Sequence, residues 1–281
     1  FFAPLSNWDG NWYLLIADKG YELLRAYAFF PLYPAVLGAL ALIPLPVQLT
    51  GCAANLLLCG ATIRIARTAQ PQSSSQLAVL FFFPYACFLP ALYTESLFLL
   101  LGCSLVLVLQ RGPAYAVFGI SALAALTRPT GALFAILSIG QLGSRRRPAL
   151  AGLCGSVAGL AAWCLWLRAE TGNAFFFRTV QAWYGRSVHF SAGRLIDNID
   201  TALRAGQADA IGSAIMLCVV LVGAVGLALE RRVPEALYSV SVACVGLTTT
   251  SLTSSSRYCL GAFPAILYVG SKLPPGAAFW A

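Results

Sequence analysis

The chain has 281 residues; 59% are hydrophobic, only 10% are charged, and the formal net charge is +8. Ordinary soluble domains carry about 25% charged residues, so this composition excludes a soluble enzyme, and it equally excludes disorder. The basic residues form no single patch of the kind a nucleic acid needs, so no nucleic-acid partner is indicated.

In chain order, residues 1–28 are mixed polar and aromatic, with Trp8, Asp9, Asp18 and Glu22 among them. The next stretch, FFPLYPAVLGALALIPLP over 29–46, holds four prolines. These argue against one regular helix. The stretch reads as an interfacial or re-entrant piece, with a kinked span as the alternative. Long charge-free runs follow, among them 26–63, 68–94, 148–167, 210–229 and 236–256. A bilayer crossing needs about 20 apolar residues. The runs predict nine spans, near 47–67, 76–93, 95–110, 113–127, 130–144, 148–168, 210–229, 234–253 and 257–272. The three shortest are flanked by arginines that can snorkel to the interface. The expected fold is all-α, a polytopic transmembrane helical bundle in a single domain over 1–281. A first long loop occupies 1–46, six spans fill 47–168, a second long loop occupies 169–209, and the C-terminal spans lie in 210–281. The chain opens on a loop-like stretch without Met, and a further helix before Phe1 is expected.

Charge sets the orientation. The run Arg145, Arg146, Arg147 is a short basic loop and is expected in the cytoplasm. Counting turns outward puts Arg64, Arg67, Arg111, Arg231, Arg232 and Lys272 on the same side, with Glu230 and Glu235 the only acids there. The opposite side then owns both long loops and most residues able to do chemistry. The nine cysteines lie in or beside apolar runs with no CxxC spacing, so neither a zinc site nor a disulfide framework is expected.

Asp9 stands in NWDGNWYLLIADKGY, flanked by Trp8, Trp12 and Tyr13. A carboxylate beside apolar surface can act as a general base; the plainer reading is a helix N-cap. Glu95, in Tyr93-Thr94-Glu95-Ser96, is either a site acid or part of a helix cap. Arg128 in TRPTG and Arg257 in SSSRY are cations on the acidic side, next to hydroxyl residues that with Arg suit a phosphate. Each can instead be a snorkelling anchor. The segment GNAFFFRTVQAWYGRSVHF alternates aromatics with Arg178, Arg186 and His189. It reads as a cover for the external cavity or as an amphipathic interfacial helix.

Taken together and in this order, these motifs resemble one family. WDGNWYLLIADKGYE (Trp8 to Glu22), AFFPLYP (Ala28 to Pro34), YTESLF (Tyr93 to Phe98) and Arg128-Pro129-Thr130-Gly131 are similar to segments of the GPI mannosyltransferase 2 (PIG-V) family. GNAF (Gly172 to Phe175), QAWYGR (Gln181 to Arg186) and Ser256-Arg257-Tyr258 resemble segments of its bacterial relatives. The resemblance implies a GT-C glycosyltransferase, with an essential Asp in the first external loop and a second external loop after span seven. One helix before Phe1 would make 148–168 span seven. It implies transfer of mannose from dolichyl (polyprenyl) phosphate mannose to a glycolipid such as a GPI precursor. Asp9 is then the expected base, and Glu95 a second acid or a positioning group. Arg128, Arg186 and Arg257 are expected at the leaving phosphate, with His189, Tyr258 and Trp8 completing the lipid-phosphate and sugar contacts. No cofactor is expected, and no metal, since no Asp-x-Asp pair is present. The partners are the lipid-linked donor, the glycolipid acceptor and membrane lipid; an accessory membrane subunit is compatible with this reading. The implied location is the endoplasmic reticulum membrane in a eukaryote and the plasma membrane in a bacterium, with the site on the lumenal or external side. The alternatives are a bacterial transferase with another acceptor, a lipid-linked sugar transporter, and a non-catalytic subunit of a glycosylation complex.

Overall fold

A computed structural model describes residues 7–69, 74–82, 86–184, 208–247 and 255–273. Among them there is helix and turn but no strand, so the fold is an all-α bundle. The helices are α1 (Asp9–Lys19), α2 (Leu32–Leu40), α3 (Val47–Ala69), α4 (Ser74–Phe82), α5 (Glu95–Arg111), α6 (Ala114–Thr127), α7 (Phe134–Ile139), α8 (Arg146–Thr171), α9 (Phe176–Trp183), α10 (Ala208–Leu229), α11 (Val233–Leu247), α12 (Ser255–Leu260) and α13 (Phe263–Lys272). Short 3-10 turns cover Leu24–Ala28, Ala86–Phe88 and Pro129–Leu133.

Among the described residues, three helices are long and apolar enough to cross a membrane: Val47–Ala69, Arg146–Thr171 and Ile211–Leu229. At 1.5 Å per residue, the 23 residues of the first extend about 35 Å, beyond the roughly 30 Å hydrocarbon core. Their outer faces carry exposed Leu57, Val157, Leu165, Val222 and Val225, which suit lipid rather than water. The prolines of 29–46 leave only nine residues of helix in α2, about 14 Å, too short to cross alone. Two of the expected spans are broken. Where one span was expected over 76–93, α4 ends at Phe82, and a 3-10 turn and bends occupy Ala86 to Thr94. Where one was expected over 257–272, a turn at Gly261 separates α12 from α13. The helix expected over 130–144 ends at Ile139.

The described residues group into two compact units, 1–71 with 87–180 and 72–86 with 181–281. In the first, α8 packs along α6 through glycines. A Cβ on Gly155 would come within 2.3 Å of the Phe118 carbonyl, and one on Gly159 within 2.3 Å of the Ala122 carbonyl. Small residues at these positions let the two backbones touch, which is how apolar helices gain dispersion energy in lipid. The 21–30 segment is held on the end of α8 by aromatic rings. Tyr21 packs on Trp163 and Trp166 at 5.3 and 5.0 Å, and Phe30 packs on Trp163 at 5.6 Å. Tyr27 packs on Trp166 and Phe176, both at 5.7 Å. Each such pair contributes about 0.5–1.5 kcal/mol beyond area burial. The Tyr21 hydroxyl donates to the Phe29 carbonyl at 3.0 Å, and burial beside Tyr27 pushes its phenol well above the ordinary tyrosine range. It therefore stays a donor.

The GNAF stretch is local punctuation. Gly172, at φ 75°, ends α8 in the left-handed region that favours glycine. The Asn173 side-chain oxygen then accepts the Phe175 N–H at 2.9 Å and leads into α9. In the second unit, α10 meets α13 at Gly223, where a Cβ would lie 2.3 Å from the Ala265 carbonyl. The buried Tyr238 hydroxyl donates to the Gly261 carbonyl at 3.0 Å and fixes the turn between α12 and α13. At the ends of α10 and α13, Lys272 and Tyr268 both donate to Glu230, at 2.8 and 3.1 Å, and hold its carboxyl below the usual range.

The basic loop before α8 caps a neighbouring helix. Arg145 donates to the carbonyls of Val108 (3.3 Å), Leu109 (2.9 Å) and Gly112 (2.9 Å). It satisfies the Leu109 carbonyl that the end of α5 leaves open, shares the Val108 carbonyl with the Gly112 N–H, and its positive charge suits that end of the helix dipole. Arg146 and Arg147 are exposed. Because hydrogen bonds to charged groups contribute about 1.5–3 kcal/mol, Arg145→Ala should lower unfolding stability in detergent by about 2 kcal/mol. Arg146→Ala and Arg147→Ala should change it by less than about 0.5 kcal/mol. Equal denaturant midpoints for all three variants would contradict the capping role.

Candidate active site

Three pieces of chain meet in the first unit: the start of α1, the turn before α5, and the end of α6. Asp9 is the first residue of α1, where a carboxylate lies favourably in the helix dipole. It is half-buried. The N-cap position belongs to Trp8, which makes no side-chain cap bond, and Asp9 stands one residue further in. Trp8 itself has φ 53° and ψ −114°, a conformation that bulky residues avoid. Strain of this kind costs about 1–3 kcal/mol and collects at functional sites. The Trp8 ring is 74% exposed. What fixes the bend is Asn7, whose carbonyl accepts both the Gly10 N–H at 3.2 Å and the Tyr93 hydroxyl at 2.8 Å.

That second bond ties the start of α1 to the turn that carries the next acid. Glu95 opens α5 two residues after Tyr93 and is only 2% exposed. Thr94 holds the N-cap position without a side-chain bond, and the Ser96 hydroxyl donates to the Leu89 carbonyl. The Thr-Glu-Ser sequence therefore does not cap the helix with its hydroxyls. The Glu95 carboxylate faces the Arg128 guanidinium, Oε1 to Nη1 at 3.5 Å.

Arg128 ends α6 in an extended conformation, and Pro129 begins the 3-10 turn that follows. The Arg128 carbonyl accepts the Gly131 N–H at 2.9 Å. Gly131 has to be glycine, because a Cβ there would lie 1.9 Å from the Ala124 carbonyl. The side chain does not snorkel outward: Arg128 is 6% exposed, with its guanidinium carbon 5.3 Å from the centre of the Phe98 ring. Phe98 in turn packs on Phe134 at 5.1 Å. Burying this pair is tolerable only because each charge has the other, and the aromatic face beneath the cation adds a further attraction.

Two groups that motif reading does not single out complete the arrangement. Asn55, in the middle of α3, is 1% exposed and turns its amide toward Tyr33 and the 91–93 turn. The ring of Tyr33 packs edge-on against Tyr13 of α1 at 5.1 Å. An amide inside an otherwise apolar run is the signal that could have marked Asn55.

Of the remaining candidates, Arg257 and Tyr258 lie in α12 of the second unit. Arg257 is buried, its guanidinium carbon 5.9 Å from the Tyr258 ring centre. Arg186 and His189 fall outside the described residues. Among the described residues, no group of three His, Cys, Asp or Glu side chains gathers as a metal site would require.

Glu95→Gln or Arg128→Met takes a counter-ion from a buried charge, which costs about 3–5 kcal/mol. Each single variant should therefore lose most of the stability of the first unit. The double variant should lose clearly less than the sum of the two. Additive losses in denaturant midpoint would show that the two groups do not interact.

The comparison with known proteins covers the same stretch of chain. The family model described as mannosyltransferase (PIG-V) matches residues 1–146, which include Asp9, Asn55, Glu95 and Arg128. No curated protein and no solved structure matches the chain. Apolar helices long enough to cross a bilayer and a match over more than half the chain agree: the protein is a membrane-embedded member of the PIG-V mannosyltransferase family.

Proposed function

We propose that the protein transfers mannose from a polyprenyl-phosphate mannose to a hydroxyl of a glycolipid acceptor, with inversion at the anomeric carbon. In a eukaryotic membrane the donor is dolichyl-phosphate mannose and the acceptor a GPI precursor; in a bacterium both have polyprenyl and glycolipid counterparts. The observation that most supports this is the tie between the two acid-bearing helix starts. Tyr93 bonds to Asn7, which ties the segment before Asp9 to the turn before the buried Glu95–Arg128 pair.

In this reading Asp9 is the base. The acceptor hydroxyl oxygen attacks the anomeric carbon, and its proton passes to the Asp9 carboxylate. The bond from that carbon to the phosphate oxygen breaks, and the electron pair leaves with the lipid phosphate. Cations aimed at the developing charge lower this barrier most. Arg128 is proposed to supply this charge to the phosphate, since a guanidinium is a fixed cation that suits phosphate geometry. Glu95 acts by orienting Arg128. The proposal for Arg257 with Tyr258, and for Arg186 with His189, rests on residue chemistry and sequence resemblance. Trp8, with its exposed ring beside Asp9, is proposed to stack on the sugar. The donor tail would lie against the lipid-facing helices, with the reaction on the lumenal or external side. The buried ion pair does not favour a transporter. It sits where α5 begins and α6 ends, not in the middle of a span.

A positioned base contributes about 10²–10⁴-fold. Asp9→Asn should therefore lower kcat by about that factor, with donor KM and thermal midpoint nearly unchanged. The carboxylate must be ionised to accept a proton. A stable, fully active Asp9→Asn would assign the base elsewhere, with Glu95 the next residue to test.

A further inference from the structure

We propose that Asn55 is a positioning residue, setting the separation between the start of α1 and the start of α5 through two tyrosines. The inference builds on the reading of Asp9 and Glu95 as site acids. Asn55 lies 1% exposed within a 23-residue apolar helix. A buried amide needs hydrogen-bond partners to offset its lost hydration. Its Nδ2 has two N–H groups, and both find acceptors. It donates to the Tyr33 hydroxyl at 2.9 Å and to the Ala91 carbonyl, and lies 3.5 Å from the Tyr93 carbonyl.

Those partners lead in two directions. Ala91 and Tyr93 form a tight turn, with the Tyr93 N–H donating to the Ala91 carbonyl at 2.7 Å, and Glu95 follows at once. One turn further along α3, Cys59 Sγ lies 3.3 Å from the Ser96 hydroxyl, so the same helix face grips the chain on both sides of Glu95. Toward α1 there are two routes. The Tyr93 hydroxyl donates to the Asn7 carbonyl at 2.8 Å, and the Tyr33 ring packs on Tyr13 at 5.1 Å. Asn55 therefore holds Tyr93 by its backbone while Tyr93 holds the residue two before Asp9 by its side chain. An apolar side chain of the same size would fill the space but leave those oxygens without this donor. The acids would then keep their helices and lose their spacing. Asn55 touches no reacting group; it acts through Tyr33 and Tyr93.

Misplacing a reacting group by about 1 Å can cost about 10²-fold in rate. In the full-length protein in lipid nanodiscs, Asn55→Leu should lower kcat for mannose transfer by about 10–10²-fold, with donor KM nearly unchanged. Amide hydrogen exchange should speed up at residues 7–13 and 91–96 and stay as in wild type along α8. Asn55→Gln keeps the amide but moves it by one methylene. It should fold like wild type and show an intermediate kcat loss with the same unchanged KM, so the test stands even where the Leu variant fails to fold. Wild-type kcat in a folded Gln or Leu variant, or exchange that rises evenly across the first unit, would overturn the proposal. Wild-type protein inactive with lipid-linked mannose, together with faster exchange at those two segments alone, would support the positioning role and reject the mannosyl reading.

Discussion

Glu95 and Arg128 are opposite charges buried where two apolar helices end, and neither is stable there alone. The pair fixes which end of α5 meets which end of α6. Arg128 is followed by a proline that begins a new turn and by a glycine that lies against the α6 backbone, which hold its place at the end of α6. Removing either charge while keeping the other destabilises the site far more than an exposed pair would. A constellation held this way is rigid, and rigidity lets a cation present a fixed face to developing negative charge.

The remaining packing serves the same arrangement from outside. Glycine contacts bring α8 against α6, so the end of α6 has a firm backing. Trp163 and Trp166, near the end of α8, carry the rings of Tyr21, Tyr27 and Phe30. The segment that follows α1 is thus clamped on one side by aromatics, while α1 itself is held at Asn7 and Tyr13 on the other. The proposed mannosyl transfer asks for such support, since a base carried by the first segment would have to be held in a fixed place. The strained backbone at Trp8 marks where the competing constraints meet.

Much of the helical plan was legible because charges bound it. Helix α5 runs from Glu95 to Arg111, and α3 fills the apolar run before Arg67. The breaks were less legible because hydropathy counts apolar atoms rather than backbone hydrogen bonds. The run from 76 to 93 is apolar throughout but contains Pro84 and Pro90, and its helix ends at Phe82. The run from 257 to 272 holds Gly261 and Pro264, and it divides there. Asp9, Glu95 and Arg128 stood out as charges on an apolar background. Their pairing did not, since Glu95 and Arg128 are separated by 33 positions and spacing does not say which helix ends meet. Asn55 escaped because charge counts ignore an amide; only its place inside α3 gives it weight.

The central claim is that mannose comes from a lipid phosphate and is passed on within the membrane. The direct measurement is transfer of radiolabelled mannose by the purified full-length protein in nanodiscs, offered either dolichyl-phosphate mannose or nucleotide-activated mannose together with glycolipid acceptors. The account predicts label in the acceptor lipid from the lipid-linked donor and none from the nucleotide donor. Label from the nucleotide donor alone, or none from either across the acceptors, would contradict it.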